Sequence, residues 1–374
     1  MMFFPPPFGL VNGHSQRSKT ALAASRKAID FFDECVAKPD AKFLLYHSKR
    51  QLVARDATNA TIIAWQSLAV IRRLGLVLEE ERSAVVGAAR AVVLAESESR
   101  ESSIEAPSIA VDVSHVEEAL VIEACGSVSF AGTRDLMVTA LPSSAMDAGR
   151  ALAVLSWHAA NLYCGACGAK TASREGGAKR ACVTCGKRFY PRLDPVAIAL
   201  VYRRDDHRVL LGRSNKFRPG MYSCLSGFVE PVETVEAAIR REVNEESGVL
   251  VDTVHILSSQ PWPVGRAGAC ELMIGCFAEV SQDWIHDKDS KIIVDKSELE
   301  DVRWFTRDEL KDAFDCAIKY ANAGSQPPNP DTIWIPGHYA IAHHLVKRYL
   351  EHGPLPAAAA PPAKEELLQS TSST

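Results

Sequence analysis

Apolar positions recur along this chain at two spacings, and the changes between them mark where helices and strands should lie. Val196–Tyr202 and Leu272–Val280 are nearly unbroken apolar runs that predict buried strands, and Arg208–Gly212 and Thr253–Ser258 predict two more. Thr234–Glu246, Arg307–Tyr320 and His338–Leu350 repeat apolar residues about every 3.6 positions and predict helices. Residues 193–350 therefore read strand, strand, loop, helix, strand, strand, helix, helix. Upstream, residues 29–160 mix the two patterns: Thr61–Leu78 predicts a helix, Val121–Phe130 a strand and Ala145–Tyr163 a helix. A short cysteine-rich insert occupies 161–192. Residues 1–28 are Pro, Gly and Ser rich and then basic, which predicts a flexible arm, and 351–374 is a low-complexity segment expected to form a disordered tail. No internal repeat is found. The whole is α+β or mixed α/β, and periodicity alone does not choose the topology.

Length and charge narrow the picture. At 374 residues the chain can hold two or three domains with real cores. A net charge of −4 argues against a protein that coats a polyanion, and 47% hydrophobic with 24% charged residues excludes wholesale disorder. No apolar run approaches the roughly 18 residues of a membrane span, so no membrane contact is expected. The opening MMFFPPPFGL lacks a basic lead and is broken by prolines, so it does not read as a signal peptide. The expected compartment is the cytoplasm.

Ten cysteines are present, four of them in two tight pairs. Cys164 and Cys167, then Cys182 and Cys185, give Cys-x2-Cys, fourteen residues, Cys-x2-Cys. Such knuckles let four sulfurs close a tetrahedron about Zn²⁺, and four cysteines leave no position for water, so the site would be structural. Two redox Cys-x-x-Cys motifs or free thiols are the alternative, and the ribbon-like spacing favours zinc. The insert's basic residues (Lys170, Arg174, Lys179, Arg180, Lys187 and Arg188) read as a solvated face in preference to a nucleic-acid contact. The six scattered cysteines, 35, 125, 224, 270, 276 and 316, read as core or surface thiols.

The most informative stretch runs from Gly227 through Glu233 to Arg241-Glu242-Val243-Asn244-Glu245-Glu246-Ser247-Gly248-Val249. On a helix Glu242 and Glu246 lie about 40° apart, with Glu245 about 60° further round. Like charges at these spacings, near a helix C-terminus, each cost a few tenths of a kcal/mol or more. Hard divalent cations, Mg²⁺ or Mn²⁺, would resolve the conflict; a solvated acidic face is the alternative. The pattern extends over 23 residues and resembles the complete box of the Nudix hydrolase family, Gx5Ex7REUxEExGU with U apolar, without mismatch.

That resemblance implies cleavage of a nucleoside diphosphate linkage on an α/β/α sandwich. It makes Glu242, Glu245 and Glu246 metal ligands, gives Arg241 the task of orienting a box glutamate by a salt bridge, and gives Glu233 a supporting part. The cysteine ribbon before the box, Tyr190-Pro-Arg-Leu-Asp-Pro195 after the ribbon, and Ser259-Gln-Pro-Trp-Pro263 beyond the box together resemble the NADH pyrophosphatase subfamily. The implied organisation is a flexible arm (1–28), an N-terminal α+β domain (29–160), a zinc ribbon (161–192), a catalytic Nudix domain (193–350) and a tail. Substrate contacts would come from Phe228 and Tyr190, an aromatic pair around the base with Tyr190 reaching in from the partner of a homodimer, and from Gln260, Trp262 and the backbone at Ala342. Glu298 matches one more metal ligand. The implied substrates are NADH and NAD⁺, and an NAD cap on RNA presents the same bond. Family analogy also admits a peroxisomal location.

The sequence departs from the subfamily after Pro263: about four residues are extra, Val264 replaces a Phe and a Ser is missing, and Arg266 is a candidate phosphate contact. Val232 stands where Gly is common. The rival readings are a hydrolase of ADP-ribose or another dinucleotide, favoured by the altered loop, and a non-catalytic nucleotide- or RNA-binding module, disfavoured by the intact acids. His343 and His344 read as buried or surface histidines in preference to catalytic ones.

Overall fold

A computed structural model describes residues 40–56, 61–76, 90–97, 105–139, 142–265, 269–288 and 290–355. The expected arm at 1–28, most of the expected tail, Cys35 and Arg266 lie outside these residues. The first sheet contains β1 (Lys42–His47), β2 (Arg50–Arg55), β3 (Thr61–Ile63), β4 (Arg90–Ser97), β5 (Glu105–Asp112) and β6 (Ser129–Gly132). Its order is β3-β2-β1-β5-β4, with β6 also on β2. β1 and β5 run parallel and the other pairs antiparallel. Three short helices accompany it: α1 (Leu68–Arg73), α2 (Glu118–Cys125) and α3 (Thr133–Thr139). A long one, α4 (Pro142–Ala160), buries Ala148, Ala151, Leu152 and Leu155 against Leu44, Val53, Val92 and Leu94 of the sheet.

Two expectations fail here. Within the helix expected at Thr61–Leu78, residues 61–63 form β3 instead, because the β-branched Thr61, Ile62 and Ile63 pair with Arg55, Ala54 and Val53; among the described residues of that span, only Leu68–Arg73 is helical. The strand expected at Val121–Phe130 is divided: α2 covers its first half, Gly126 at φ 87° turns the chain, and β6 follows. The contiguous run Ala-Leu-Val-Ile hid the helical stripe. Only Val121 in this helix is fully buried, while Leu120 is half exposed.

Residues 171–189 form an antiparallel sheet of β7 (Thr171–Arg174), β8 (Lys179–Cys182) and β9 (Arg188–Phe189). The second large sheet follows at once, with β10 (Leu193–Tyr202), β11 (Val209–Arg213), β12 (Leu225–Phe228), β13 (Val251–Trp262), β14 (Cys270–Val280) and β15 (Asp301–Phe305). Its order is β13-β14-β10-β11-β15, with β12 also on β10 and β10 parallel to β14. Helices α5 (Val235–Ser247), α6 (Gln282–His286), α7 (Arg307–Lys319) and α8 (Ile341–His352) complete this part, α8 entering the expected tail by two residues. The patterns at 193–350 missed β12, α6 and β15, all five residues or fewer.

The apolar run of β10 is buried on both faces. Ile198, Leu200 and Tyr202 pack with α7 and α8, through Leu310, Ala313, Leu345 and Tyr349. Ala197, Ala199 and Val201 pack with Ala238, Ile239 and Val243 of α5. This is an α/β/α sandwich. The small side chains on the second face bring α5 close to the sheet, which determines where the acidic box sits.

Candidate active site

Helix α5 is delimited by its own chemistry. Thr234 caps its start, its hydroxyl accepting from the Ala237 amide at 3.2 Å, and Gly248 ends it in the left-handed region at φ 69°. One face carries Ala238, Ile239 and Val243 into the core. Glu242 and Glu246 lie on this same side, toward the C-terminal end of the helix, and Glu245 lies at its edge. Glu246 is buried at 5% exposure, Glu242 is half-buried and Glu245 exposed.

Arg241 ties Glu242 and Glu245 to the end of β12. Its Nε and Nη2 donate to the two oxygens of Glu233, each at 2.9 Å. Nη1 donates to Glu242 Oε1 at 2.7 Å and to Glu245 Oε2 at 3.0 Å, and Nη2 also reaches the Phe228 carbonyl at 2.9 Å. Every N–H of the guanidinium is thus engaged. These bonds hold the guanidinium charged, that to Glu233 foremost, and Arg241 in turn holds the Glu233 carboxyl below its usual range. Glu242 is pushed the other way: burial raises its pKa, and the charges of Glu245 and Glu298 raise it further against the pull of Arg241.

Gly227 is required by this packing. A Cβ placed there would lie 1.8 Å from Glu242 Cδ and 2.0 Å from Oε1, so the carboxylate occupies the space a side chain would fill. Three groups that sequence reasoning missed secure the other end of α5. The Ile293 amide donates to the Ser247 carbonyl at 2.8 Å, the Asp295 amide to the Glu246 carbonyl at 3.3 Å, and the Trp284 indole to the Gly248 carbonyl at 3.0 Å. They pin the segment carrying the exposed Glu298, close enough for its charge to act on Glu242.

Hard carboxylate oxygens crowded into one field suit a divalent cation better than a soft metal. The bridges to Arg241 use one oxygen each of Glu242 and Glu245. Among the described residues, however, only the four cysteines bring three or more ligand atoms within 4.8 Å of one another. Cys164 and Cys185 Sγ are 3.7 Å apart, Cys167 and Cys182 3.5 Å, and Cys167 and Cys185 3.6 Å. A tetrahedron with bonds of about 2.3 Å has edges of about 3.8 Å, so the cluster fits a single tetrahedral ion. Backbone amides favour the thiolate at two of the four: bonds from Cys185 and then Thr184 pull Cys182 down to about 6, and Ala166 lowers Cys164, whereas the neighbouring sulfurs push Cys167 up. The remaining described cysteines are free, and burial raises Cys224 and Cys276 to about 12.

The expected substrate residues are placed as follows. Register aligns Phe228 with Val196, Met273 and Gln260 in one row across the sheet, and Gly227 with Ala197, Ile274 and Ser259 in the next. Gln260 is 1% exposed and both ends of its amide are used: Nε2 donates to the Tyr339 carbonyl at 2.7 Å, and Oε1 accepts from the Ile341 amide at 2.6 Å. It therefore braces the start of α8. Trp262 is partly buried at the end of β13. Ala342 is buried in the first turn of α8, its side chain in the core. Tyr190 is 61% exposed between β9 and β10. His343 is buried, donates through Nδ1 to the Pro336 carbonyl at 3.0 Å and lies 4.6 Å from the Phe314 ring; burial lowers it to about 4, so it is neutral and structural. His344 likewise bonds the His338 carbonyl, at 2.7 Å.

Residues 192–322 match the family described as the NUDIX domain. Nudix hydrolase 19, chloroplastic, of Arabidopsis thaliana is 36% identical over 360 residues, covering 84% of this chain and 77% of that protein. NAD-capped RNA hydrolase NUDT12 of Macaca fascicularis is 41% identical over 213 residues, covering 55% of this chain and 41% of that protein. The mitochondrial NAD(P)H pyrophosphatase NUDT13 of Homo sapiens is 38% identical over 202 residues, covering 54% of this chain and 53% of that protein. The chain thus spans about half or less of the last two.

Proposed function

The chain belongs to the Nudix hydrolase family, and from that premise we propose that it hydrolyses the diphosphate of NADH to reduced nicotinamide mononucleotide and AMP. NAD⁺ and the NAD cap of RNA, which present the same bond, are the further substrates proposed. The observation that carries the chemistry is the carboxylate cluster of α5, seated against Gly227 and tied to Glu233 and Phe228 by Arg241. The choice of NAD(H) is supported by the names of the relatives and by Ser259–Pro263 lying at the same sheet end as that cluster.

Glu242, Glu245, Glu246 and Glu298 are the residues that would hold Mg²⁺ or Mn²⁺. Bound there, such an ion supplies positive charge to the diphosphate and lowers the pKa of a water. The chain's own groups do the rest. Arg241 holds Glu242 and Glu245 in place, and a carboxylate of the cluster accepts the proton of the attacking water. Phe228 offers a flat apolar face to the base, and Gln260 fixes the start of α8, whose backbone at Ala342 faces the substrate. Zn²⁺ is the ion proposed for the four cysteines. Exposed Tyr190, Leu193, Tyr163 and Val183 on and beside the ribbon support a homodimer in which Tyr190 reaches the partner's site. We read the three sheets as three units with the boundaries the sequence suggested.

Purified protein with Mg²⁺ or Mn²⁺ and NADH should release AMP, and Glu246→Gln should lose about a hundredfold or more of kcat while keeping its fold. Equal turnover in the variant would remove the carboxylate mechanism. The altered chain after Pro263 favours one alternative, a preference for ADP-ribose, and the ratio of kcat/KM values decides between them. Among the described residues no helix is long and apolar enough to cross a membrane. The cytoplasm is the proposed compartment, against the chloroplastic and mitochondrial names of two relatives, and imaging a fusion that preserves both termini tests it.

A further inference from the structure

The turn that follows Trp262 does not stand alone. Pro263 is buried against Gly149 of α4: a Cβ at Gly149 would lie 2.8 Å from Pro263 Cγ and 3.3 Å from its Cβ. Val264 packs onto the apolar cluster that α4 shares with the first sheet. On its other side, Gly265 lies against Glu271, whose carboxyl carbon would be 2.6 Å from a Cβ there. Two residue pairs before Trp262–Glu271, Gln260 is clamped to the start of α8. The chain from 259 to 265 is therefore seated between two structural units, and its height over the sheet end is determined by the missing side chain at Gly149.

That seat is within reach of the chemistry. Gly227, against which Glu242 lies, and Ser259 occupy one cross-strand row, separated by three strand spacings of about 4.8 Å, or about 14 Å. This is the scale of a dinucleotide whose diphosphate lies at the carboxylates while one of its bases extends toward residues 259–264. We infer that the N-terminal unit is the specificity element of this site: α4, through Gly149 and the cluster receiving Val264, positions the turn that selects the group at the far end of the diphosphate. Gly149 and Val264 are positioning residues. The role rests on the dinucleotide reading above. It explains what Val264 does, since its side chain joins the N-terminal core.

Gly149→Ala tests this in the full chain. Alanine is the better helix former, so α4 itself is not weakened, while Pro263 must move. Val264→Ala is the second variant, which releases the same turn without crowding α4. Steady-state kinetics with NADH and with ADP-ribose, and NADH affinity without added divalent metal, read from the fluorescence of the reduced nicotinamide, are compared with wild type. We expect KM and Kd for NADH to rise roughly tenfold, with kcat within twofold and ADP-ribose kinetics unchanged. Parallel losses for both substrates, or no change in either variant, would overturn the inference. Wild-type protein that binds NADH without cleaving it removes the proposed reaction, yet the shift in Kd still decides the role of α4. Wild-type protein that does not bind NADH overturns both.

Discussion

Val232 has φ 70° with its side chain wholly in solvent. Pro231 precedes it, and the Glu233 amide donates to the Glu230 carbonyl at 3.1 Å, so it occupies the third position of a turn where glycine relieves the clash of a β-branched side chain. Val232→Gly should stabilise the protein by about 1 kcal/mol, the strain removed exceeding the entropy glycine adds; a lower urea midpoint would refute the strain. Gly227 is the opposite case. Gly227→Ala should lower kcat/KM at least about tenfold, because its methyl group and the Glu242 carboxylate need the same space. Unchanged kinetics would mean that Glu242 can leave its seat at no cost. The box pattern marked Gly227 in the sequence, but the reason for it is a contact between residues fifteen positions apart.

At the scale of elements, α5 and α8 were the most legible parts of the chain, and the helix ends were the least. The structure starts α8 at Ile341, after the three residues His338–Ala340 with which the apolar pattern begins, because Gln260 captures the Tyr339 carbonyl and the Ile341 amide from another strand. His343 beside it gives the molecule an acid-labile element. In the unfolded chain its imidazole takes a proton near pH 6.5, whereas in the fold it stays neutral to about pH 4, with His338, His344 and Lys347 adding to the effect of burial. The unfolded state therefore binds more protons between these values. Stability should be full above pH 6.5 and fall by roughly 3 kcal/mol on going to pH 4. His343→Asn keeps a donor for the Pro336 carbonyl and should flatten that part of a plot of unfolding free energy against pH; an unchanged slope would assign the loss elsewhere. Glu233, held low by Arg241, adds loss in the same direction at lower pH.

For the whole molecule, the ribbon lies between the N-terminal unit and the catalytic sheet. Buried Arg180 donates to Thr171 Oγ1 and to the Thr171 carbonyl, each at 2.8 Å, and to His158 Nδ1 at 2.8 Å, while His158 Nε2 donates to the Gly177 carbonyl at 2.9 Å. The end of α4 is thereby locked to the β7–β8 hairpin. The sequence reading of Arg180 as part of a solvated basic face was wrong, since it is 1% exposed. If the cysteines hold the proposed zinc, its loss should loosen this joint as well as the ribbon: Cys182→Ser should lower Tm on the order of 10 °C and abolish a zinc content of about one per chain. A variant that melts with wild type would make the ribbon independent of its metal. The homodimer proposed above predicts twice the chain mass by light scattering, and Tyr190→Ala should raise KM for NADH.

The chain by itself determined what depends on neighbours in sequence. These features are the presence of α5 and its glycine stop, the order of acids along it, the spacing of the cysteine pairs and the apolar runs of β10 and β14. Each follows from local geometry, because a helix turn or a metal knuckle is closed by residues a few positions apart. Only the tertiary structure decided the short strands β3, β6 and β12, the capture of α5's last carbonyls by Trp284, Ile293 and Asp295, and the seating of Pro263 on Gly149. These depend on contacts between distant segments, whose energy comes from pairing and packing and leaves no periodic mark on either partner alone.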